Sequence, residues 1–438
     1  MHKLSLQSEL FYVDNGDTFY PNIFVPPHHH KSYQFIATEI AGLLDKLNLK
    51  LIIPGEYDLA LGPESFSELI KNKKYQVLFS NIESSSIPFI PEYQIELPGM
   101  TLLLLGIATT DLGGKFEFIE LSKVLKNKIP EKKNDNLKII VFSHLGMTTD
   151  KKMAEDFPAI DWIVGSHTQS FTQAAEVVGK TKIVQVLSKN HYLGEIKFDL
   201  TNGQSQFALH EVRDELKNEL NPNPLAELLV KHHEALKEIQ KEEQLKMMPE
   251  QAPKAAPAIS SCVECHQKQV EFWQSTAHAL AFQTLVKNNK DYDPQCIGCH
   301  SLHFGKPTGF SKRDDIVKLK EENQTKAYWA ELETSFKNAG SIREMKTKQR
   351  VDLNQRWMKL DQKFEVTHNF ANIQCFHCHN VASDHPFNTE PMPRMEHKSE
   401  CLKCHTTDQS IHWYKSQQLD EKIFHEKLKS VTCPKDAK

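Results

Sequence analysis

Four short segments in the second half of the chain each contain two cysteines, two spacer residues between them and a histidine directly after. They read CVECH at 262–266, CIGCH at 296–300, CFHCH at 375–379 and CLKCH at 401–405. Cysteine pairs at this spacing place two thiols on one turn, which suits zinc, a redox disulfide or thioether bonds to haem. These segments are therefore the first place to look for chemistry.

Zinc is the main alternative to haem, because Cys262, Cys265, Cys296 and Cys299 have the spacing of a zinc ribbon. The histidine favours haem, since Cys-x-x-Cys-His is the attachment signature in which two thioethers fix the porphyrin edge and the next imidazole reaches iron. Histidine fills 22 of 438 positions, so four such placements by chance have odds of roughly one in 100,000. The pattern predicts four covalently bound c-type haems.

The haem interpretation gives each residue of these motifs a role. The thioether cysteines would be Cys262, Cys265, Cys296, Cys299, Cys375, Cys378, Cys401 and Cys404. The proximal ligands would be His266, His300, His379 and His405. Candidates for the second axial position are His278, His303, His368, His385, His397, His412 and His425. Bis-histidine ligation predicts low potentials, since methionine would raise them. His377, inside the third motif, is expected to be a spacer, and Cys433 an inert lone thiol.

Residues 260–430 resemble the cytochrome c554-type multihaem domain. The matching text is CVECHQKQVEFWQSTAHALAFQTL, CIGCHSLHFGKPTGF, IQCFHCHNVASDHP and CLKCHTTDQSIHWY with KIFHEKL behind it. The resemblance implies distal ligands at His278 and His385, with His425 as a further candidate. It also implies that one haem, usually the second, can be five-coordinate. His303 stands where the family commonly has a small residue, which leaves the state of the haem at His300 open.

The first half of the chain alternates between strand and helix patterns. Short apolar runs predict strands over 10–13, 49–53, 75–79, 101–108, 137–143, 160–165, 182–188 and 193–200. Apolar residues at helical spacing predict a helix over 33–48. This alternation is typical of an α/β sheet with ligand groups on loops at the strand ends.

The loops that follow these strands resemble those of the calcineurin-like metallophosphoesterases, in the 5′-nucleotidase branch. They read VDNGDTFY at 13–20, PGEYDLALG at 54–62, FSHLG at 142–146 and VGSHTQ at 164–169, and the resemblance covers about residues 10–210. The family holds two metals that activate water and clamp phosphate oxygens. The metal ligands carried over are Asp17, Glu56, His144 and His167.

Several family residues are missing from these loops. Glu56 stands at the metal-binding asparagine, Tyr57 at the catalytic histidine and Gln169 at the second histidine of the last motif. The Asp-x-His element is absent, and tyrosine does not readily replace a histidine that protonates a leaving group. The substitutions predict a degenerate, scaffold-like domain; a single metal or active hydrolysis are the alternatives.

Composition narrows the function classes further. The net charge of −4 and pI of about 6.6 give no basic footprint for nucleic acid, and no run approaches the 18 apolar residues of a membrane span. We predict an α/β metallophosphoesterase-like sandwich over 1–215, a helix with a Pro/Ala linker over 216–260, and a mainly α, haem-cored tetrahaem domain over 261–438.

We also expect a polar helix over 225–247 and a single helix over 267–288. The charged stretch 313–365 is expected to form helices, which either pack over the haems or extend as solvated arms. Roughly 45 residues per haem is too few for a conventional core, so we expect the porphyrins to supply much of the buried apolar surface. His28–His30 are expected to form an exposed loop.

Haem attachment outside the cytoplasm predicts a periplasmic or outer-surface protein. The opening MHKLSLQSEL has no apolar core of a signal peptide, so we expect that the natural N-terminus lies upstream. The preferred function is electron transfer between redox partner proteins. The alternatives are a redox enzyme that uses one five-coordinate haem on a small nitrogen or sulfur compound, and an active nucleotidase fused to a cytochrome.

Overall fold

The computed structural model describes residues 9–434 except 111, 113–115, 169, 187–190, 213–222, 224, 247–256, 264, 343, 380–395 and 416–417. Gln169, His385 and most of the Pro/Ala linker therefore lie outside the described residues. The chain folds as two compact units: Met1–Ala226 with Ser416–Gln418, and Glu227–Lys415 with Leu419–Lys438.

The first unit contains the strands and helices that the alternating pattern predicts. Its strands are β1 Tyr12–Asp14, β2 Leu49–Ile52, β3 Gln76–Val77, β4 Ile82–Ser85, β5 Tyr93–Leu97, β6 Met100–Ile107, β7 Phe116–Phe118, β8 Leu137–Ser143, β9 Trp162–Gly165, β10 Glu176–Val178, β11 Thr181–Val184, β12 Tyr192–Phe198 and β13 Ser205–Glu211. Its helices are α1 His30–Lys46, α2 Pro63–Ile70, α3 Leu121–Lys128 and α4 Met147–Asp156.

Two sheets of the first unit are stacked between layers of helices. The smaller sheet is parallel, in the order β1-β2-β3. The larger one has the order β10-β11-β9-β8-β6-β5, with antiparallel edge strands β10 and β5. Leu51 and Leu78 of the small-sheet side share a core with Leu104, Ile140 and Trp162 of the large sheet. Helices α1 and α2 pack on the outer face of the small sheet, and α3 and α4 on that of the large sheet.

This helix–sheet–sheet–helix arrangement confirms the α/β sandwich. One local expectation was wrong. Residues 28–30 are not a loop, because α1 begins at His30 after the 3₁₀ turn Pro27–His29, although His28 and His30 are exposed as expected. His29 is buried there, with its ring edge-on to Tyr33, and the Ser32 hydroxyl donates to the His29 carbonyl.

The chain after residue 226 is mainly helical. Its helices are α5 Ala226–Lys246, α6 Gln267–Gln274, α7 Ala281–Lys287, α8 Pro294–His300, α9 Thr325–Phe336, α10 Thr347–Lys363, α11 His397–Leu402 and α12 Glu421–Val431. Two two-stranded sheets are formed by β14 Val317–Leu319 with β15 Val366–Asn369, and by β16 Tyr414–Lys415 with β17 Gln418–Leu419. Within the described residues, no helix has the length and apolar character needed to cross a membrane.

The single helix expected over 267–288 is broken, and that prediction was wrong. Helix α6 stops at Gln274, a 3₁₀ turn covers Ala277–Leu280, and α7 starts at Ala281. Two hydroxyls cause the break: Ser275 Oγ donates to the Phe272 carbonyl at 2.6 Å and Thr276 Oγ1 to the Trp273 carbonyl at 2.8 Å. Such side-chain bonds compete with the helical backbone pattern, and Thr276 is extended.

The second unit has a hydrophobic core made of protein side chains, contrary to the expectation that 45 residues per haem is too few. Helices α7, α9 and α10 contribute Phe282, Tyr328, Trp329 and Trp357, which pack together with Phe370. Residues 313–365 are therefore a folded part of this unit and not solvated arms. Two of the Cys-x-x-Cys-His motifs contact this core: Ile297 of the second is part of it, and Phe376 of the third packs against it.

A buried ion pair of the second unit lies next to α5. Arg313 and Asp291 are both buried and lie 2.8 Å apart. The Arg313 guanidinium also covers the Trp329 ring at 3.5 Å, and the Arg313 backbone N–H donates to Gln244 of α5. An ion pair removed from water is costly to break, because the remaining charge is left without its partner.

We predict that Arg313→Met lowers the free energy of unfolding of the second unit by about 3–5 kcal/mol, because it removes the close partner of the buried Asp291 carboxylate and leaves only Lys237, 4.0 Å away. Urea denaturation followed by circular dichroism would measure this change. The matched control is Lys320→Met, which removes an ion pair to Glu365 whose two side chains are mostly exposed; we expect a loss below about 1 kcal/mol. Equal losses in the two variants would contradict the account.

Candidate functional site

The first candidate site lies at the carboxyl ends of four strands in the first unit. Asp17 follows β1, Glu56 follows β2, His144 follows β8 and His167 follows β9. Because these strands belong to the two stacked sheets, their end loops meet at one edge of the sandwich. Ligand sites of open α/β sheets are found at this edge, and all four residues named from the sequence are there.

The four side chains are within reach of one another. His144 Nε2 lies 3.3 Å from both Asp17 Oδ2 and Glu56 Oε2, and His167 Nδ1 lies 3.0 Å from Glu56 Oε1. Ligand atoms of Glu56, His144 and His167 all lie within 4.8 Å of one another. Two imidazoles and two carboxylates are a donor set that suits zinc or a similar divalent ion. The residues present therefore fit one cation.

The orientation of His144 is fixed by groups behind it. Its Nδ1 lies 2.9 Å from the Asn15 carbonyl and 2.6 Å from Ser166 Oγ, which leaves Nε2 facing the carboxylates. Burial opposes the charged form of His144, but the hydrogen bonds with Asp17 and Glu56 outweigh it and raise the His144 pKa to about 10. Burial likewise opposes the charge of Glu56, but His144 and His167 lower the Glu56 pKa to about 2. Without metal, the site is held together by its own charges.

Asp58 is a site residue that the sequence reasoning missed. It is fully buried, and its carboxylate accepts backbone N–H bonds from Asp17, Thr18 and Phe19 at 2.8–2.9 Å and from Gly55 at 3.0 Å. One carboxylate thus fixes the two loops that carry Asp17 and Glu56. The sequence feature that could have pointed to it is an aspartate inside PGEYDLALG, two residues after Glu56.

Gly55 is required by the close packing of this loop. A Cβ at this position would lie 2.3 Å from Asp17 Oδ1 and 2.4 Å from His144 Nε2. Any other residue at position 55 would therefore push the two ligands apart.

The second candidate site is formed by the cysteines of the second unit. The first motif lies on a turn before α6, the second on α8, the third on the 3₁₀ turn Cys375–His377 and the fourth at the end of α11. A hydrogen bond from Cys375 lowers the pKa of Cys262, and one from Cys404 lowers the pKa of Cys299 to about 7. The first motif therefore lies beside the third, and the second beside the fourth.

Two of the predicted proximal histidines are hydrogen-bonded through Nδ1, and for His300 the partner is a carbonyl, so its Nδ1 carries the proton. His300 Nδ1 lies 2.7 Å from the Ala281 carbonyl, and His405 Nδ1 lies 2.8 Å from Ser410 Oγ. These bonds engage Nδ1 and leave Nε2 for a metal, which is the usual arrangement of a ligating histidine. The His405 ring also stacks on Trp413 with centroids 4.1 Å apart. The residues at these two motifs fit c-type haem.

The candidate distal histidines are spread over different environments. His278 is half-buried with its ring centroid 6.3 Å from that of His405, and burial, then His405, lowers its pKa to about 4. His303 has φ +59° and bonds Thr308 within its own turn, and His397 is exposed near His379. The remaining described candidates are His368, whose ring contacts Phe370, and the exposed His412 and His425.

A short segment that the sequence reasoning did not single out connects the haem motifs. Residues 369–374, here called the hub segment, read NFANIQ directly before the third motif. The Asn372 N–H donates to the His300 carbonyl at 3.0 Å, and the Ile373 N–H donates to the His278 carbonyl at 3.2 Å. Gln374 is buried, and its Oε1 accepts the Ile259 N–H at 2.7 Å, just before the first motif. The hub segment therefore positions three of the four motifs and His278.

His377, expected to be a spacer, is instead bonded through both ring nitrogens. Nδ1 accepts the N–H of Gln374 at 3.1 Å, and Nε2 lies 3.1 Å from the Ser301 carbonyl. Cys433, expected to be inert, lies near the third motif. Burial, then Cys401 and then Cys433 raise the pKa of Cys378 to about 11.

Comparison with known proteins assigns the two regions to different relatives. Residues 261–323 match the family model described as cytochrome c554 and c-prime. Cytochrome c-554 of Nitrosomonas europaea is 35% identical over 65 residues, which is 11% of this chain and 28% of that protein. The metallophosphoesterase YunD of Bacillus subtilis is 25% identical over 193 residues, or 40% of this chain and 41% of that protein.

Among solved structures, the calcineurin-like phosphoesterase YfkN of Bacillus subtilis covers 55% of this chain and 88% of its own, at 17% identity and a TM-score of 0.42. The chain spans less than half the length of each of the two sequence relatives. The sequence relatives confirm the predicted fusion: a metallophosphoesterase-like region is joined to a cytochrome c554-like region.

Proposed function

We propose that the protein is a tetrahaem c-type cytochrome that carries electrons between redox partners outside the cytoplasm. The observation that carries this proposal is the pair His300 and His405, each bonded through Nδ1 with Nε2 left for iron. The similarity of residues 261–323 to cytochrome c554 supports it. When bound, a c-type haem supplies reversible one-electron transfer at its iron.

The protein residues contribute attachment and spacing. The first motif lies beside the third and the second beside the fourth, since Cys375 lowers the pKa of Cys262 and Cys404 lowers that of Cys299. Porphyrin edges bound to these cysteines would therefore be neighbours, which is what electron transfer along a chain of cofactors needs. Half-buried His278 lies near His405, and exposed His397 lies near His379, so both are candidates for the second axial position of an iron. An iron with both axial positions filled favours electron transfer over catalysis.

The first unit is proposed to bind one divalent cation without hydrolysing phosphate esters. The observation in favour of a cation is the convergence of Glu56, His144 and His167, with Asp17 3.3 Å from His144. The phenol at Tyr57 is a poor proton donor for a leaving group at neutral pH, because burial and then the charges of Asp17 and Glu56 raise its pKa. The cation would hold the two loops together, in place of the proton that His144 shares with the carboxylates.

We predict that protein made in a host with c-haem maturation has four low-spin haems and does not bind carbon monoxide, because two histidines would ligate each iron. The measurement is the absorption spectrum of the oxidised protein, then of the reduced protein with and without carbon monoxide.

A haem that is high-spin and binds carbon monoxide would contradict the electron-carrier account and support a redox enzyme. A colourless protein that holds zinc at its cysteines would contradict both. The variant Cys299→Ala gives a matched control, since the intensity of the haem bands should fall by about a quarter if one of four attachment sites is damaged.

We predict one high-affinity Zn²⁺ site in the first unit and no release of phosphate from 5′-AMP or p-nitrophenyl phosphate. Glu56→Gln or His144→Ala should weaken Zn²⁺ binding by at least tenfold, because each removes a ligand. Calorimetric titration of the metal-stripped full chain with Zn²⁺ measures the change.

The matched control is His210→Ala, which breaks another His–Glu pair of the same unit, 3.0 Å from Glu195, and should leave binding unchanged. Metal-dependent phosphate release would instead support the nucleotidase. Equal Zn²⁺ affinity in all variants would contradict the proposed cation site.

A further inference from the structure

The side chain of His377 has a defined tautomer. The Gln374 backbone N–H donates to Nδ1 at 3.1 Å, so Nδ1 is an acceptor and the proton of the neutral ring is on Nε2. Nε2 therefore donates to the Ser301 carbonyl at 3.1 Å. Because both nitrogens are engaged, His377 is not available as an iron ligand.

The partner of this bond lies beside the second haem motif. Ser301 directly follows His300, is itself buried, and donates from Oγ to the Ile297 carbonyl at 2.6 Å inside the second motif. Ser301 also pairs with Ala371 of the hub segment, and the Leu302 N–H donates to the Phe370 carbonyl at 2.7 Å. The peptide after His300 is thus held by the backbone on one side and by His377 on the other.

We propose that His377 is a positioning residue that fixes the third haem-attachment turn against the peptide following His300, and so sets the spacing of the second and third haems. The proposal rests on the proposed function, in that both motifs carry haem. Residues outside the first coordination sphere tune a metal by holding its ligands in place. A hydrogen bond between two attachment segments would hold the ligands of two haems in place at once.

Two substitutions separate this role from a local one. His377→Asn places an amide oxygen near the position of Nδ1, so it keeps the bond from Gln374, but it is too short to reach the Ser301 carbonyl. His377→Gln extends an amide N–H to about the position of Nε2, so it can keep the bond to Ser301. A positioning role predicts that Gln behaves like the native residue and Asn does not; a local capping role predicts the reverse.

The test uses the full-length haem-loaded chain. Haem content is counted first, and then electron paramagnetic resonance of the oxidised protein and a stepwise potentiometric titration are recorded. We expect four haems in all three proteins. In His377→Asn alone, two of the four reduction midpoints should shift and the spin coupling between two irons should change.

The inference is overturned if His377→Asn titrates like the native protein, or if both variants shift equally. Loss of the third haem in both variants would also overturn it, because His377 would then serve attachment. Native protein without haem would be a failure of the proposed function itself, and is recognised before any variant is compared.

Discussion

The second unit depends on the hydrogen bonds of the hub segment, residues 369–374, which starts at the end of β15 and is mostly buried. Asn372 and Gln374 are both almost fully buried. The Asn372 amide oxygen accepts the Phe282 N–H at 2.9 Å, while the Gln374 amide also donates to the Asn369 and Ala371 carbonyls at 2.7 and 2.8 Å. Buried backbone groups must find partners. The two side-chain amides pair with the backbone of Ile259, Phe282, Asn369 and Ala371, and the Asn372 backbone N–H donates to the His300 carbonyl. Segments that are far apart in sequence and lead to three of the cysteine motifs are thereby joined.

The first unit solves the same problem with a carboxylate. Asp58 accepts four backbone N–H bonds and so fixes the loops of Asp17 and Glu56. In both units, the residues that would contact a cofactor are held in place by a buried polar residue, and that buried residue itself would not contact the cofactor. Because Asp58 bonds backbone N–H groups, it fixes the loops without involving the side chains of Glu56 and Tyr57.

The sequence predicted the parts of this protein that depend on local pattern. The β6 and β8 strands are long apolar runs, and the Cys-x-x-Cys-His spacing is typical of haem attachment. Each pattern could therefore be identified from a few neighbouring residues. The ligand cluster of the first unit was found because each residue follows a recognisable strand. What could not be predicted depends on contacts between distant residues: Asn372 meets Phe282 across 90 positions. The break at Ser275 and Thr276 was missed for another reason, since the apolar spacing continues across it while the hydroxyls compete with the helix.

The central claim is that one chain holds four haems that exchange electrons. Anaerobic reductive titration of the purified chain, with the electrons taken up per polypeptide counted from the added reductant, tests it most directly. The account predicts four electrons per chain, taken up reversibly and with the spectral change of c-type haem at each step. Uptake of fewer than four electrons by a chain with all eight motif cysteines intact, or of none, would contradict it.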